Sequence, residues 1–187
     1  MKYIVRKAYW NYEKEEKWLN GMSAKGLALT DYSWCRYVFT ETPKNEYTYR
    51  LELLERLPNN AESIAYLKFL EENGVECVAT YLRWAYLRKK TADGPFDIYS
   101  DLDSKIKHLQ RINLWNTIMM WVELIAGAMN LAVGIINIFM DGALGSFTAG
   151  NITLGIVLLA LSFLFFWVGH YPRVQIKKYR KQRLIEE

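Results

Sequence analysis

Four polar residues sit at a strict seven-residue interval in an otherwise apolar stretch: Asn116, Glu123, Asn130 and Asn137. Two helical turns take about seven residues, so all four share one helix face. An acid within a membrane-length apolar helix costs about 3 kcal/mol to insert and normally faces a partner or a wet cavity. Glu123 therefore reads as a proton- or cation-linked site, or as a polar contact with a partner helix. The plainer alternative is a protonated acid that only joins helices by hydrogen bonds, a role the three asparagines share. A second stripe, Gly155, Ser162 and Gly169 with Thr148 one step earlier, repeats at the same interval and allows close backbone approach.

Arg6, Arg36, Arg50 and Arg83, with Trp10 and Trp34, form the other candidate set. On one open sheet face they would suit an anionic ligand or an acidic protein surface; an ordinary solvated face is the competing reading. The two histidines, His108 and His170, sit at the outer boundaries of the apolar segments, which gives a zinc or catalytic role little support. Cys35 and Cys77 are too widely spaced for a metal motif. The glycine-rich stretch Gly142 to Gly150 lacks the lysine of a phosphate loop. With no G-x-S-x-G, H-E-x-x-H or paired-cysteine motif, the chain reads as a non-enzyme without cofactor or metal.

The elements carrying these residues fall into two unlike parts. Residues 114–140 and 152–171 are each apolar over a length sufficient for a bilayer core, which needs about 20 helical residues. Lys105, Lys107 and Arg111 precede the first. Arg173, Lys177, Lys178, Arg180, Lys181 and Arg183 follow the second, and the turn at 141–151 carries only Asp141. This asymmetry places both termini in the cytoplasm of a bacterial cell and the turn outside. Trp115, Trp167 and Tyr171 would lie at the cytoplasmic interface. The basic tail, 172–187, reads as a topology signal and anionic-lipid contact. No apolar signal region follows Lys2, Arg6 and Lys7, so cytoplasmic, reduced cysteines are expected.

Residues 1–103 hold 15 Lys+Arg and 16 Asp+Glu, a balance that argues against nucleic-acid binding. Strand-like residues run from Lys2 to Trp10, and Asn11 can cap a helix over 12–25 that Gly26 stops. Residues 27–42 read as one strand ended by Pro43. Tyr47, Tyr49, Leu51 and Leu53 alternate with polar residues as a half-buried strand. Asn59 with Glu62 suggests a capping box for a helix over 60–73, with Ile64, Leu67 and Leu70 inward. Residues 75–88 read as the last strand. No internal repeat is evident. The order β-α-β-β-α-β predicts a ferredoxin-like α+β domain over 1–90, with Cys35 and Cys77 on opposite sheet edges. A linker and juxtamembrane helix would cover 91–113, with Ser100, Asp101 and Asp103 at a helix start that continues into the first apolar helix.

Four local patterns carry a resemblance: Glu16-Lys17-Trp18-Leu19-Asn20 with Gly26; Tyr47-Thr48-Tyr49-Arg50; Trp84 to Lys89; and Gly94 to Asp101. Together, over roughly residues 1–112, they resemble the bacterial domain-of-unknown-function family numbered twenty-eight-twelve. Leu87 stands where that family usually has Phe. The resemblance implies a membrane-associated regulatory or stress-response setting, with PadR-type transcriptional regulators encoded nearby, and it supplies no activity or catalytic residues. The leading expectation is a bacterial inner-membrane regulatory or sensory module that binds a ligand or protein. Its partners would be the lipid bilayer and either its own copies or another membrane protein. The rival is a small transporter or transporter accessory subunit using Glu123.

Overall fold

The computed structural model describes residues 2–99, 101–141 and 145–186. Two units are distinguished, 1–108 and 109–187.

In the first unit the elements are β1 (Lys2–Arg6), α1 (Tyr12–Ala24), β2 (Leu27–Ser33), β3 (Arg36–Glu41), β4 (Tyr47–Leu53), α2 (Ala61–Glu72), β5 (Val75–Tyr81) and β6 (Trp84–Lys90). They form two antiparallel three-stranded sheets, ordered β1-β3-β2 and β4-β6-β5. The unit is therefore α+β, but the single four-stranded sheet expected from the sequence is replaced by two. Residues 27–42 and 75–88 are hairpins rather than single strands. Their turns, at Trp34-Cys35 and Leu82-Arg83, carry none of the Gly, Asn or Pro that mark a turn in sequence. Trp34, Cys35 and Leu82 take positive φ (25°, 57° and 53°) without those residues' freedom. Main-chain bonds hold both turns: Lys7 N–H donates to Cys35 O at 2.9 Å, and Leu54 N–H to Arg83 O at 2.8 Å. Arg83 adds side-chain bonds to Leu54 O (2.9 and 2.6 Å) and Glu55 O (2.8 Å).

The chain thus contains a repeat that the sequence hides: β-α-β-β occurs twice with the same strand order. The second strand of each half is seven residues long and slips register at its third residue, between Leu29 and Asp31 and between Cys77 and Ala79. Each also follows a glycine at positive φ, Gly26 (82°) and Gly74 (77°). A Cβ on Gly26 would lie 2.8 Å from Thr42 O, so both conformation and space require glycine there.

Asn11 caps α1 by accepting from Lys14 N–H. The cap of α2 is Asn60 rather than Asn59. Helix α1 buries Leu19 against Leu29, Tyr37, Phe39, Tyr49, Leu51 and Tyr86, and so draws on both sheets. Its next face, Glu16, Asn20 and Ser23, closes the exposed edge of β4. Glu16 Oε1 accepts from Leu51 N–H (2.7 Å), Asn20 bonds both the N–H and C=O of Tyr49, and Ser23 Oγ donates to Tyr47 O (2.6 Å). This removes the free donors and acceptors of an edge strand. Helix α2 turns Tyr66, Leu67 and Leu70 toward Leu54, Val75, Ala85, Leu87 and Phe96, while Ile64 points outward.

After a 3₁₀ turn at Thr91–Asp93, helix α3 runs unbroken from Leu102 to Asp141. Ser100 lies outside the described residues. The Asp101 carboxylate caps α3, accepting from Ser104 N–H (2.7 Å) and Oγ–H (2.8 Å). In the second unit, α4 (Ser146–Val168) and α5 (His170–Glu186) follow. Gly142 to Leu144 of the glycine-rich turn lie outside the described residues. Two helical stretches, Leu102–Met140 and Ser146–Ile185, are long and apolar enough to cross a membrane. Only 11% and 17% of their most apolar windows are buried, unlike the core helices of a water-soluble protein.

Candidate anion-binding cleft

At one end of the first sheet the strand registers bring three polar residues into a row. Arg6 of β1 lies opposite Arg36 of β3, and Arg36 lies opposite Ser33 of β2. Directly opposed residues of antiparallel strands project to the same face, so the two guanidinium groups and the hydroxyl stand together. Core-facing neighbours fix that face: Val5 pairs with Tyr37 and Tyr3 with Phe39, beneath Trp18 and Leu19 of α1, which leaves Arg6 and Arg36 on the side away from the helix. With Trp34 and Cys35 of the turn, they line a cleft of about 360 Å³.

Like charges opposed across a sheet are destabilising. Asp31 offers some relief, its Oδ2 lying 3.4 Å from Arg36 Nη1 in a solvent-exposed pair. Such a pair contributes about 0–1 kcal/mol. The cleft is thus a concentration of positive charge with a hydroxyl donor and an exposed indole, chemistry that suits a phosphate, sulfate or carboxylate group.

The remaining members of the arginine set lie elsewhere. Arg50 stands opposite Leu87 in the second sheet and donates to the neighbouring Tyr49 O (3.0 Å). Arg83 is held in its clamp on Leu54 and Glu55. Trp10, 64% exposed, lies in the loop after β1. Trp34 is 75% exposed, with its ring 6.1 Å from that of Tyr81.

Buried acids form a polar network that the residue spacing does not signal. Glu15 Oε1 accepts from Tyr37 OH (2.6 Å) and Tyr86 OH (2.8 Å). Burial pushes its carboxyl above the ordinary range, while those two hydrogen bonds pull it down. Burial also lifts Glu16 to about 7, against the Leu51 N–H and the charge of Arg50. Glu52 accepts from Tyr66 OH (2.7 Å) and Tyr99 OH (2.9 Å). Tyr99 OH also meets His108 Nδ1 at 2.8 Å. His108, just before the first apolar stretch, is 2% exposed and packed against the rings of Tyr12, Trp84 and Tyr99. Burial raises the Cys77 thiol to about 11, which keeps it protonated at neutral pH. Cys35, in the β2–β3 turn, and Cys77, in β5, are both free thiols. Among the described residues no three His, Cys, Asp or Glu side chains gather as a metal site.

In the second unit, Thr148, Gly155, Ser162 and Gly169 are all buried on α4 and its junction with α5. Opposite them on α3 stand Asn116, Met120, Gly127, Leu131 and Gly134. Ser162 Oγ donates to Met120 O (2.9 Å). A Cβ on Gly155 would sit 3.0 Å from Gly127 O, and one on Gly127 3.1 Å from Gly155 O, so the two backbones touch there. A Cβ on Gly134 would meet Ile152 Cγ1 at 2.6 Å. Of the asparagine–glutamate stripe, Asn116 is buried at this contact, its Cβ lying 3.4 Å from the Cβ position of Gly169. Glu123, Asn130 and Asn137 flank it, half-buried. Asn130 donates to Ala126 O of its own helix (2.8 Å) rather than bonding Glu123 across the contact. Gly127 and Gly134 are seven residues apart, the same interval as the stripes; that spacing was the signal for the missing half of the contact.

The geometry also explains the local patterns behind the family resemblance. Glu16 and Asn20 secure Tyr49 and Leu51 of β4. Trp84 packs on His108, and Tyr86 holds Glu15. Phe96 is buried, while Tyr99 joins Glu52 to His108. No match to this chain was found among curated proteins or among solved structures. A family described as "Protein of unknown function (DUF2812)" matches residues 11–121, more than half of the chain and reaching from α1 into α3. The chain belongs to the DUF2812 family.

Proposed function

We propose that this chain is a membrane-anchored, non-enzymatic binding module, regulatory or sensory in role, whose α+β unit takes an anionic group between Arg6 and Arg36. The observation that supports this is the in-register opposition of the two arginines in an open cleft, where Arg36 meets Asp31 in an exposed pair. A sheet end with no ligand to bind gains nothing from that arrangement. Anchoring by α3 and α4 in the bacterial cytoplasmic membrane, with both termini in the cytoplasm, is part of this proposal, and the two apolar helices and their basic flanks support it. A PadR-type regulator in the same pathway, or a membrane-protein partner, fits a module of this kind.

The test is thermal stability of the full chain in a neutral detergent, with inorganic phosphate titrated at constant ionic strength. Binding raises stability by about 2.7 kcal/mol at one hundred times the dissociation constant. The gain should disappear in Arg6→Gln and Arg36→Gln and persist in Arg50→Gln. No gain in the parent chain, or an equal gain in all three variants, would overturn the reading.

A second reading, a small transporter or accessory subunit, draws on Glu123. It lies beside the helix contact rather than in it, half-buried. Two helices cannot enclose a path, so this reading requires further copies or a partner around that acid.

A further inference from the structure

The tips of the two hairpins carry the wrong residues for turns in water. Trp34 and Leu82 are bulky, 75% and 64% exposed, and both held at positive φ, where Asn or Gly would normally sit. Each pays a conformational cost and leaves apolar surface in solvent, the combination that marks a functional tip rather than a connecting one. The tips are neighbours: the Trp34 ring lies 6.1 Å from that of Tyr81, the residue before Leu82. Immediately beside Trp34 is the cleft with Arg6, Arg36 and Ser33. Exposed indole and aliphatic side chains next to an arginine pair match one chemistry closely: a bilayer interface, with tryptophan at headgroup depth and arginine on lipid phosphate.

From this juxtaposition, and resting on the anion-binding and membrane-anchoring reading above, we propose that the Trp34–Leu82 hairpin tips dock on an anionic phospholipid surface, with lipid phosphate held between Arg6 and Arg36. The same chain carries two helices long enough to span a bilayer, so anchoring would raise the local concentration of such a surface. Weak contacts then suffice. Each arginine at an anionic surface contributes about fivefold to the docked population. Docking would therefore follow the lipid composition of the leaflet and report it to whatever the unit regulates.

The experiment places the full chain in vesicles of phosphatidylcholine alone and of phosphatidylcholine with phosphatidylglycerol. An environment-sensitive fluorophore is attached at Leu82→Cys in a Cys35→Ser, Cys77→Ala background. Emission should rise and shift to the blue only with phosphatidylglycerol, and high salt should reverse the change. Arg6→Gln or Arg36→Gln should each lower the docked fraction about fivefold. Because the labelled variant carries three substitutions, the unaltered chain is measured in parallel by amide hydrogen exchange in nanodiscs of the two compositions. The expected result is protection of residues 32–36 and 81–84 by phosphatidylglycerol. If neither measurement distinguishes the two compositions while inorganic phosphate still stabilises the chain, the cleft takes a soluble anion and the lipid proposal falls alone. If phosphate also fails, the anion-binding reading falls with it.

Discussion

Glu16 gives the sharpest quantitative test of how the soluble unit is held together. Its carboxylate accepts the Leu51 N–H at 2.7 Å and closes the edge of β4, yet burial raises its pKa from 4.5 to about 7. Below pH 4.5 the acid is protonated whether the chain is folded or not, and the associated stability is fully present. As pH rises, the unfolded chain loses its proton first, so stability falls and the loss is complete above about pH 7. At 1.36 kcal/mol per unit, the fall is at most about 3 kcal/mol. Glu15, raised in the same direction, steepens the slope further. For a unit of about 100 residues this lowers the melting temperature between pH 4.5 and pH 8 by on the order of 10 °C. Glu16→Gln keeps an oxygen for Leu51 and removes the titration. Its melting temperature should match that of the parent chain at pH 4.5, and its pH slope should shrink to the share of Glu15. The assay is thermal melting in neutral detergent, followed by near-ultraviolet circular dichroism of the Tyr/Trp core. An unchanged slope in Glu16→Gln, or stability in the parent chain that rises across this window, would refute the reasoning.

Arg83→Gln removes the three side-chain bonds that secure the β5–β6 turn and should lower stability by about 2 kcal/mol in the same melt. Gly155→Leu should weaken assembly of the helical hairpin, measured by crosslinking α3 to α4 in membranes, because even its Cβ would meet Leu131 Cγ at 2.7 Å and Gly127 O at 3.0 Å. Asn130→Leu loses only a bond within its own helix and should assemble normally. Glu123→Gln should assemble and retain the phenotype that deletion of the chain removes; assembly without function would favour the transport reading. In intact cells, an impermeant thiol reagent should label Ser146→Cys but reach Lys181→Cys only after permeabilisation, and the reverse pattern would invert the proposed orientation.

Much of the secondary structure was legible because its signals are local. Asn11 caps α1 through its own side chain, the alternation from Tyr47 to Leu53 marks a strand, although its polar face is covered as well and Glu52 is buried, and apolar length identifies α3 and α4. The stripe Gly155, Ser162 and Gly169 was visible because helical periodicity puts those residues on one face whatever packs there. The sequence alone also placed Arg6, Arg36 and Trp34 among the candidates, on residue type.

Other features depended on partners distant in the chain. Trp34-Cys35 and Leu82-Arg83 do not resemble turns. They are held as turns by Lys7, Leu54 and the Arg83 clamp, and without them two hairpins read as two strands and the repeat disappears. Which face of α3 meets α4 was decided by where Gly127 and Gly134 let backbones touch, a question of shape that polarity could not answer. Only strand register set Arg6 against Arg36 while sending Arg50 and Arg83 elsewhere. A one-residue slip would have turned that arginine pair to the opposite face. Residue types therefore determined which chemistry was available, and long-range pairing determined which residues share a site, because register and helix contact are properties of two segments and are written in neither one alone.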